Sequence, residues 1–313
     1  MIEKKGFSYP SSGAEHYGNI VYSKYGYDVI ECEVCGFKHV IPIPTENFLN
    51  EYYKKRFVQN RPTGFFEKME EDASWWKIVY DEKFDLFERY IDTENRKILD
   101  IGSGLGYFLK LGIDRGWSTL GIEPSVDSFK YAQELGLDVI NECFGENTYK
   151  KLGFFDVIHM HEVLEHLPNP QNIIKLTKKM LNPGGLICIV SPNDFNPLQE
   201  AFIAKNEEVG KWWVSPPEHI NFFNFESITK LLERNGFSII EKTSTFPLEL
   251  FLLMGENYIG NEDLGKKIHC KRKKFEVSLS ETGNEELRRR LYQKVSELGL
   301  GREFMVIGKT INE

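Results

Sequence analysis

From Lys97 onwards, short runs of apolar residues alternate with segments in which apolar side chains recur at helical spacing. The apolar runs predict buried strands at 97–101, 118–123, 137–141, 154–161 and 185–191. Farther along, residues 226–235 predict a helix that ends before Gly236, and strands follow at 237–245 and 303–309. Strand–helix alternation at this spacing favours an α/β fold with a parallel, doubly wound sheet.

The regions outside this alternation divide the chain into four predicted parts. The first 60 residues are rich in Tyr, Gly and Pro and predict short strands and turns, including a strand at 28–32. Large apolar residues at helical spacing mark 48–57 and 75–90, while 246–302 is too long for a simple connection and predicts a helical insertion over the ligand face. The parts are an N-terminal module (1–60), a helical lead-in (61–95), a core (96–245 with 303–313) and the helical insertion (246–302).

Composition and charge narrow the function. The 313 residues include 39 Lys and Arg and 47 Asp and Glu, which gives a formal net charge of −8. Nucleic-acid binding needs a basic face, so this charge disfavours nucleic acid as a partner. No apolar run suits a secretory signal or a membrane span, so we expect a cytoplasmic protein. The five cysteines are an odd number, which favours reduced thiols over a disulfide framework.

A glycine-rich turn after the first core strand is the strongest motif. The sequence Ile-Leu-Asp-Ile-Gly-Ser-Gly-Leu-Gly-Tyr-Phe-Leu over 98–109 ends a strand and opens a helix. Glycine permits the sharp turn and lets the backbone approach a ligand without a Cβ in the way. Glu123 ends the next strand, where a carboxylate can accept both ribose hydroxyls of a nucleotide. A dehydrogenase fingerprint would have glycine where Tyr107 stands, which disfavours NAD as the ligand.

This segment resembles motif I of the class I S-adenosylmethionine-dependent methyltransferases. Three later segments agree in order and spacing: Phe-Asp-Val-Ile at 155–158, Glu-Val-Leu-Glu-His-Leu at 162–167 and Leu-Asn-Pro-Gly-Gly at 181–185. The resemblance implies a Rossmann-like sheet of seven strands with the last antiparallel, and S-adenosylmethionine as the cofactor. It also implies a set of cofactor-binding residues, namely Asp100, Gly102, Ser103, Gly104, Gly106, Tyr107, Glu123, Pro124, Phe144 and His161.

A cluster of ionisable residues follows the fourth core strand. His161 ends that strand, Glu162 and Glu165 are three residues apart on one helical face, and His166 is adjacent. His219 lies in the segment 216–223, which can fold back over the pocket. The Glu-x-x-Glu-His pattern with a distant His resembles the divalent-metal site of small-RNA 2′-O-methyltransferases and also ubiquinone-pathway O-methyltransferases.

Three routes to acceptor activation stay open. The resemblance implies that Glu162, Glu165, His166 and His219 hold a divalent cation, which would acidify an acceptor hydroxyl. Without a metal, His219 or His161 would act as the general base. Alignment of the reactants alone is the third route. A group of later aromatic residues would line the acceptor pocket or form plain core: Trp212, Trp213, Phe222 and Phe223.

The N-terminal module carries a Cys-x-x-Cys-Gly turn. Cys32 and Cys35 are spaced so that both thiolates can reach one ion, and His16 and His39 stand nearby in sequence. The segment resembles the zinc-ribbon module of sugar and antibiotic methyltransferases, although the first cysteine pair of that module is missing. We predict a structural Cys2His2 zinc site, with a relic turn holding two buried thiols as the alternative.

The predicted activity is S-adenosylmethionine-dependent methyl transfer to a small-molecule acceptor. O-methylation of a small polar metabolite is favoured, with a sugar, a nucleotide sugar or a pathway intermediate as the acceptor. One alternative is C- or N-methylation of a nucleotide sugar or natural product. The other is a non-catalytic module that binds the cofactor and docks a partner. The oligomeric state is left open.

Overall fold

The computed structural model describes residues 4–8, 15–49, 51–52, 71–91 and 96–311. Residues 50 and 53–57 of the predicted helix at 48–57, and residues 61–70 and 92–95 of the predicted lead-in, lie outside these ranges. The strands are β1 (Lys4–Ser8), β2 (Glu15–Lys24), β3 (Tyr27–Cys32), β4 (Lys38–Ile41), β5 (Lys97–Ile101), β6 (Ser118–Ile122), β7 (Val139–Ile140), β8 (Phe155–His161), β9 (Leu181–Pro192), β10 (Asn221–Phe222), β11 (Phe237–Ser244) and β12 (Glu303–Thr310). The helices are α1 (Ala73–Tyr90), α2 (Tyr107–Asp114), α3 (Val126–Glu134), α4 (Glu146–Tyr149), α5 (Pro170–Met180), α6 (Pro197–Ile203), α7 (Phe225–Glu233), α8 (Glu249–Leu253), α9 (Glu262–Glu281) and α10 (Glu285–Glu297).

A seven-stranded sheet forms the core. Its strand order is β11-β12-β9-β8-β5-β6-β7. Strands β5 to β9 run parallel, and β12 is antiparallel to both of its neighbours. The predicted Rossmann-like α/β class, with an antiparallel last strand, is therefore confirmed. The order of strands reverses between β5 and β8, and ligands bind outside the carboxyl ends of the strands at such a point.

Two strands differ in length from their predictions. At the edge of the sheet, β7 keeps only two residues of the predicted 137–141, because one of its sides has no partner strand. In the middle of the sheet, β9 begins four residues before the predicted 185–191, because Leu181 pairs with Phe155 of β8. The Asn-Pro-Gly-Gly segment interrupts the pairing as a bulge, since Leu181 pairs with Phe155 and Leu186 with Val157, and Gly184 has a φ of 75°.

The parallel strands are buried on both faces. Successive side chains of a strand point to opposite faces, so Leu99 and Ile101 of β5 join one apolar cluster and Ile98 joins the other. On the second face, α1 contributes Phe84 and Phe87, which are fully buried. This packing fixes α1 against the carboxyl half of the sheet, where it can reach the ligand crevice.

The N-terminal module is a five-stranded antiparallel sheet with the order β1-β2-β3-β4-β10. Its last strand comes from the core region, since Asn221 pairs with His39 and Phe222 with Lys38. The segment at 216–223 therefore joins the N-terminal sheet. The later aromatic residues of the sequence prediction form core. Trp213, Phe222 and Phe223 are buried, and the half-buried Trp212 packs against the cluster that contains Trp213 and Phe222.

Helices α8, α9 and α10 lie between β11 and β12 in the chain. Buried polar pairs join this insertion to α1: Arg288 Nη1 donates to Glu82 Oε2 over 2.8 Å, and Trp75 Nε1 donates to Glu276. The guanidinium of Arg272 stacks 4.9 Å from the Trp75 ring. The insertion is thus held over the carboxyl ends of the strands. Among the described residues, no helix has the length and apolar character needed to cross a membrane.

Candidate functional site

The glycine-rich turn between β5 and α2 has the backbone shape that its residues predict. Gly102, Gly104 and Gly106 have φ values of 77°, 53° and 81°, a region that favours glycine. A Cβ on Gly102 would lie 2.6 Å from Val163 Cγ2, whereas a Cβ on Gly104 would meet nothing within 4 Å. The turn therefore presents a bare, open stretch of backbone at the head of α2.

Glu123 closes one side of this turn. It follows β6 directly and is 6% exposed. Its Oε2 accepts the backbone N–H of Gly104 over 2.8 Å, and its Oε1 accepts the N–H of Ser125 over 2.7 Å. These two bonds fix the carboxylate beside the glycines, where it can also accept the hydroxyls of a ribose.

The other predicted cofactor residues surround the same crevice. The buried Ser103 Oγ has no hydrogen-bond partner among the described residues. Tyr107 OH lies 2.9 Å from Tyr131 OH, Pro124 is exposed beside Glu123, and Phe144 packs half-buried against the core after β7. A bare glycine turn, a fixed carboxylate and an unpartnered hydroxyl fit S-adenosylmethionine.

A buried chain of polar groups leads from this turn towards α1. Asp100 Oδ1 lies 2.7 Å from His159 Nδ1, and the other ring nitrogen of His159 lies 3.0 Å from Lys83 Nζ. Lys83 Nζ lies 3.3 Å from His161 Nδ1, and His161 Nε2 lies 3.9 Å from Glu303 Oε1. The sequence prediction placed Asp100 and His161 here but missed the other three.

Burial strongly affects the charges of these five polar groups. It raises the pKa of Asp100 to about 8, although the nearby Lys83 opposes the shift. It lowers the pKa of Lys83, of His159 and of His161. Burial alone would raise the pKa of Glu303, yet His161 and two arginines hold it below its usual range. Neutral histidines and a weakly held lysine proton are the result.

A cavity of about 260 Å³ opens beside His161. Helix α1 supplies Trp75, Trp76 and Lys83 to its wall, the end of β8 supplies His161 and Glu162, and the insertion closes it. Its remaining lining residues come from β9, β11, β12, α9, α10 and α1: Val79, Glu82, Val190, Thr243, Ser244, Thr245, His269, Arg272, Glu276, Arg288, Tyr292, Glu303 and Met305. Trp75 and Trp76 thus line this cavity, whereas Trp212, Trp213, Phe222 and Phe223 do not.

The predicted metal cluster divides into two places. Ligand atoms of Glu165, His166 and His219 lie within 4.8 Å of one another. Glu162 lies instead in the cavity wall, where burial and then Glu303 raise its pKa to about 8. The separation arises because Glu162 leaves β8 with φ 54°, whereas Glu165 follows in the 3₁₀ turn Leu164–His166.

Glu165 is the most deeply buried member of that cluster, at 1% exposure. Its Oε2 accepts the Ser191 hydroxyl over 2.9 Å, while its Oε1 has no hydrogen-bond partner among the described residues. The unpartnered oxygen lies 3.9 Å from His166 Nε2, and the rings of His166 and His219 are 4.9 Å apart. Two imidazoles and a carboxylate in this arrangement fit a divalent cation.

In the N-terminal sheet, the four predicted zinc ligands come together. The ligand atoms of His16, Cys32, Cys35 and His39 all lie within 4.8 Å of one another. His16 Nδ1 lies 3.2 Å from Cys35 Sγ, 3.9 Å from Cys32 Sγ and 3.2 Å from His39 Nε2. Ligand atoms of tetrahedral zinc are about 3.4–3.8 Å apart. Both cysteines are free thiols, so the donor set fits zinc.

Comparison with known proteins agrees with the cofactor crevice. The sequence profile of a family described as a methyltransferase domain matches residues 75–242, more than half of the chain. A ubiquinone biosynthesis O-methyltransferase of Chromobacterium violaceum is 29% identical over 117 residues, which cover 36% of this chain and 50% of that protein. The match to that relative thus spans only half of its length.

Two further matches cover more of the chain. An uncharacterized protein of Methanocaldococcus jannaschii is 28% identical over 189 residues, which cover 59% of this chain and 86% of that protein. The crystal structure of a SAM-dependent methyltransferase from Archaeoglobus fulgidus has a TM-score of 0.50 at 18% identity, covering 79% of this chain and 100% of that one. At that identity the likeness supports the fold. Taken with that fold, the matched profile shows that the chain belongs to the methyltransferase-domain family.

Proposed function

We propose that this enzyme methylates a hydroxyl oxygen of a small polar acceptor, such as a sugar or a pathway intermediate, bound in the cavity under the insertion. The polar wall of that cavity carries the proposal. Three residues of that wall, Glu82, Thr243 and Arg288, each have a buried side-chain atom without a hydrogen-bond partner among the described residues. A hydroxyl group can donate to a carboxylate and accept from a guanidinium, so polar side chains of these types suit a polyhydroxy acceptor. The relatives named as O-methyltransferases support an oxygen acceptor.

The charges in the cavity favour a neutral acceptor. Arg288 is paired with Glu82 over 2.8 Å, and Arg272 with Glu276 over 3.4 Å. With each guanidinium matched by a carboxylate, the cavity offers no surplus positive charge for a phosphate. Its volume of about 260 Å³ is also at the small end for ligand sites. Both features favour a sugar-sized acceptor over the nucleotide sugar, which the sequence left open for both O-methylation and C- or N-methylation.

His161 is the general base that we propose for this reaction. It ends β8 and lines the cavity, and its lowered pKa leaves the imidazole neutral and able to accept a proton near pH 7. The bound S-adenosylmethionine supplies a methyl group on a sulfonium. The acceptor oxygen attacks the methyl carbon in line, its proton passes to His161, and the electron pair of the broken C–S bond stays on sulfur. Lys83 and Glu303 hold the imidazole from its two sides.

A divalent cation on Glu165, His166 and His219 is the alternative route to the same product. The observation in its favour is the unpartnered, buried Glu165 Oε1 facing two histidines. Such a cation would bind and acidify the acceptor hydroxyl, so that no imidazole base is needed. In that case chelation would abolish turnover, and His219 rather than His161 would be required.

We also propose that the N-terminal sheet holds a structural zinc ion on His16, Cys32, Cys35 and His39. His16 lies on β2, Cys32 ends β3, Cys35 lies in the turn that follows and His39 lies on β4, so one ion would join three strands of a small sheet. Hydrogen bonding from the Cys35 thiol lowers the pKa of Cys32, which favours one thiolate in the cluster even before a metal binds.

The test is an acceptor screen with methyl-labelled S-adenosylmethionine. Neutral sugars, phenols and nucleotide sugars are offered to the enzyme, and the methylated atom is assigned by mass spectrometry and NMR. We expect an O-methylated neutral product, and His161→Ala to lower kcat by about 10²-fold or more with little change in KM. His269→Ala, which removes another imidazole of the same cavity, is the matched control. Methylation at nitrogen or carbon, or turnover of nucleotide sugars alone, would overturn the proposal.

A further inference from the structure

Lys83 is a buried lysine placed between two imidazoles. It is 3% exposed, and its Nζ lies 3.0 Å from His159 Nε2 and 3.3 Å from His161 Nδ1. Among the described residues, no carboxylate lies within ion-pair distance of it. A buried ammonium ion without an ion-paired carboxylate is costly, so Lys83 holds its proton weakly.

The position of Lys83 connects the cofactor crevice with the acceptor cavity. On one side, His159 links it to Asp100, which stands two residues before the first glycine of the cofactor turn. On the other side, Lys83 lines the cavity together with His161. The methyl group must cross between these two compartments. A charge on Lys83 is therefore felt where the cofactor sulfur changes from a sulfonium cation to a neutral thioether.

The group formed by Lys83, His159 and Asp100 has two protonation states. In the first, Lys83 is an ammonium ion that donates to His159, and His159 donates to an ionised Asp100. In the second, the Nζ–H bond has broken, its proton has left to water in the cavity that Lys83 lines, and Lys83 is an uncharged amine. Burial favours the second state because it lowers the pKa of Lys83.

We propose that Lys83 gives up its proton when the sulfonium form of the cofactor binds and regains one after methyl transfer has left the sulfur neutral. Repulsion between two buried cations drives the first step, and its loss permits the second. Lys83 acts here as a positioning residue that discriminates substrate cofactor from product cofactor. The proposal needs only cofactor binding, so it does not depend on the acceptor or on the base proposed above.

Other titratable groups face Lys83 and must be separated from it. They are Asp100 of β5, His159 and His161 of β8, Glu162 after β8, Cys188 of β9, Glu303 of β12 and Tyr80 on α1 itself. Asp100 and Glu162 gain negative charge as the pH rises, which would also favour the sulfonium form. A pH effect in the native protein alone is therefore insufficient, and a variant that removes only the amine is needed.

The experiment measures the dissociation constants of S-adenosylmethionine and S-adenosylhomocysteine by calorimetry from about pH 6 to about pH 9. Because a protonated Lys83 opposes only the sulfonium, the ratio of the two constants should fall about tenfold or more over this range. The sulfonium also lowers the pKa of the cofactor's own amino group, but this effect is the same for every protein variant, so comparison of the native protein with Lys83→Met removes it. Lys83→Met should flatten the dependence while keeping the affinity for S-adenosylhomocysteine. Lys77→Met, an exposed lysine on the same helix, should behave as the native protein.

Two further results decide the proposal. Lys83→Arg places a permanent cation at this point, so it should weaken S-adenosylmethionine binding at least about tenfold more than S-adenosylhomocysteine binding at every pH. If Lys83→Met retains the full pH dependence, a carboxyl group carries it and the proposal is wrong. If Lys83→Met does not fold, Lys83→Arg still decides: equal changes in the two dissociation constants at every pH refute the proposal.

Discussion

Replacing Glu123 by Ala should weaken S-adenosylmethionine binding by roughly 100- to 1000-fold. In the structure the carboxylate accepts the N–H groups of Gly104 and Ser125 over 2.8 Å and 2.7 Å, which holds it rigid beside the glycine turn. Hydrogen bonds from the two ribose hydroxyls to a charged acceptor contribute about 1.5–3 kcal/mol each. Losing both, with part of the loss recovered by water, leaves about 3–4 kcal/mol. Glu123→Gln keeps one carbonyl oxygen and should cost only about tenfold.

Calorimetric titration of S-adenosylmethionine into each variant measures this effect, with circular dichroism and thermal melting as the check on folding. Glu134→Gln, an exposed glutamate at the end of α3, is the control and should bind as the native protein does. Near-native affinity in a folded Glu123→Ala would refute the assignment of the ribose to this carboxylate. An equal loss in the Gln and Ala variants would show instead that charge alone, and not the two-hydroxyl geometry, provides the affinity.

Three further outcomes follow from the geometry. Elemental analysis should find about one zinc ion per chain, and Cys32→Ser should remove it and lower Tm by more than about 5 °C; a metal-free native protein would contradict this. Gly102→Ala should lower the free energy of unfolding in urea by about 1–3 kcal/mol and should also weaken cofactor binding, because Gly102 has a φ of 77° and an added Cβ would clash with Val163. Gly116 has a φ of 84° and open space around its Cβ position, so Gly116→Ala measures the cost of the backbone conformation alone. An equal loss of stability in Gly116→Ala would show that the clash with Val163 contributes nothing. Burial raises the pKa of Asp194 to about 8, so the native state binds its proton and stability falls as pH rises from about 4 through 8. Asp194→Asn should therefore be more stable than the native protein at about pH 8.5, with little difference near pH 4, and equal urea midpoints at both pH values would contradict this.

The sequence was sufficient for the cofactor side of the site because local rules act there. The turn after β5 needs positive φ at Gly102, Gly104 and Gly106, and only the residue pattern around a strand end is required to recognise it. Glu123 follows from the same reasoning, since the strand that carries it lies beside β5 in any sheet of this connectivity. In the structure Glu123 accepts the N–H of Gly104, so the carboxylate and the glycine turn are adjacent, and their role in holding the cofactor stays a prediction.

The acceptor side was harder to predict because its residues come from distant elements. Lys83, Arg272 and Glu303 meet at one cavity although more than 200 residues separate the first from the last. One local signal was present: Trp76, Tyr80, Lys83 and Phe87 lie on one helical stripe, so a lysine interrupts an otherwise apolar face. The stripe indicates that Lys83 is buried. Its contacts with His159 and His161 depend on how α1 packs against β8, which the sequence of α1 does not show.

Strand β10 connects the N-terminal sheet to the cluster of Glu165, His166 and His219. His39, a predicted zinc ligand, pairs in register with Asn221, and Val40 N–H donates to Ile220 O over 2.9 Å. Asn221 Nδ2 in turn donates to the carbonyls of Leu164 and Leu167, over 2.9 Å and 2.7 Å, which flank the turn that carries Glu165 and His166.

The same strand segment also reaches Glu165 directly, since Ile220 N–H donates to Glu165 O over 2.9 Å. His219, the third member of the cluster, immediately precedes Ile220. An ion that fixes His39 would thus fix β10, and through it the position of His219 against Glu165 and His166. The N-terminal sheet therefore helps to position the cluster of Glu165, His166 and His219, although it contributes no residue to the cavity wall within the described residues.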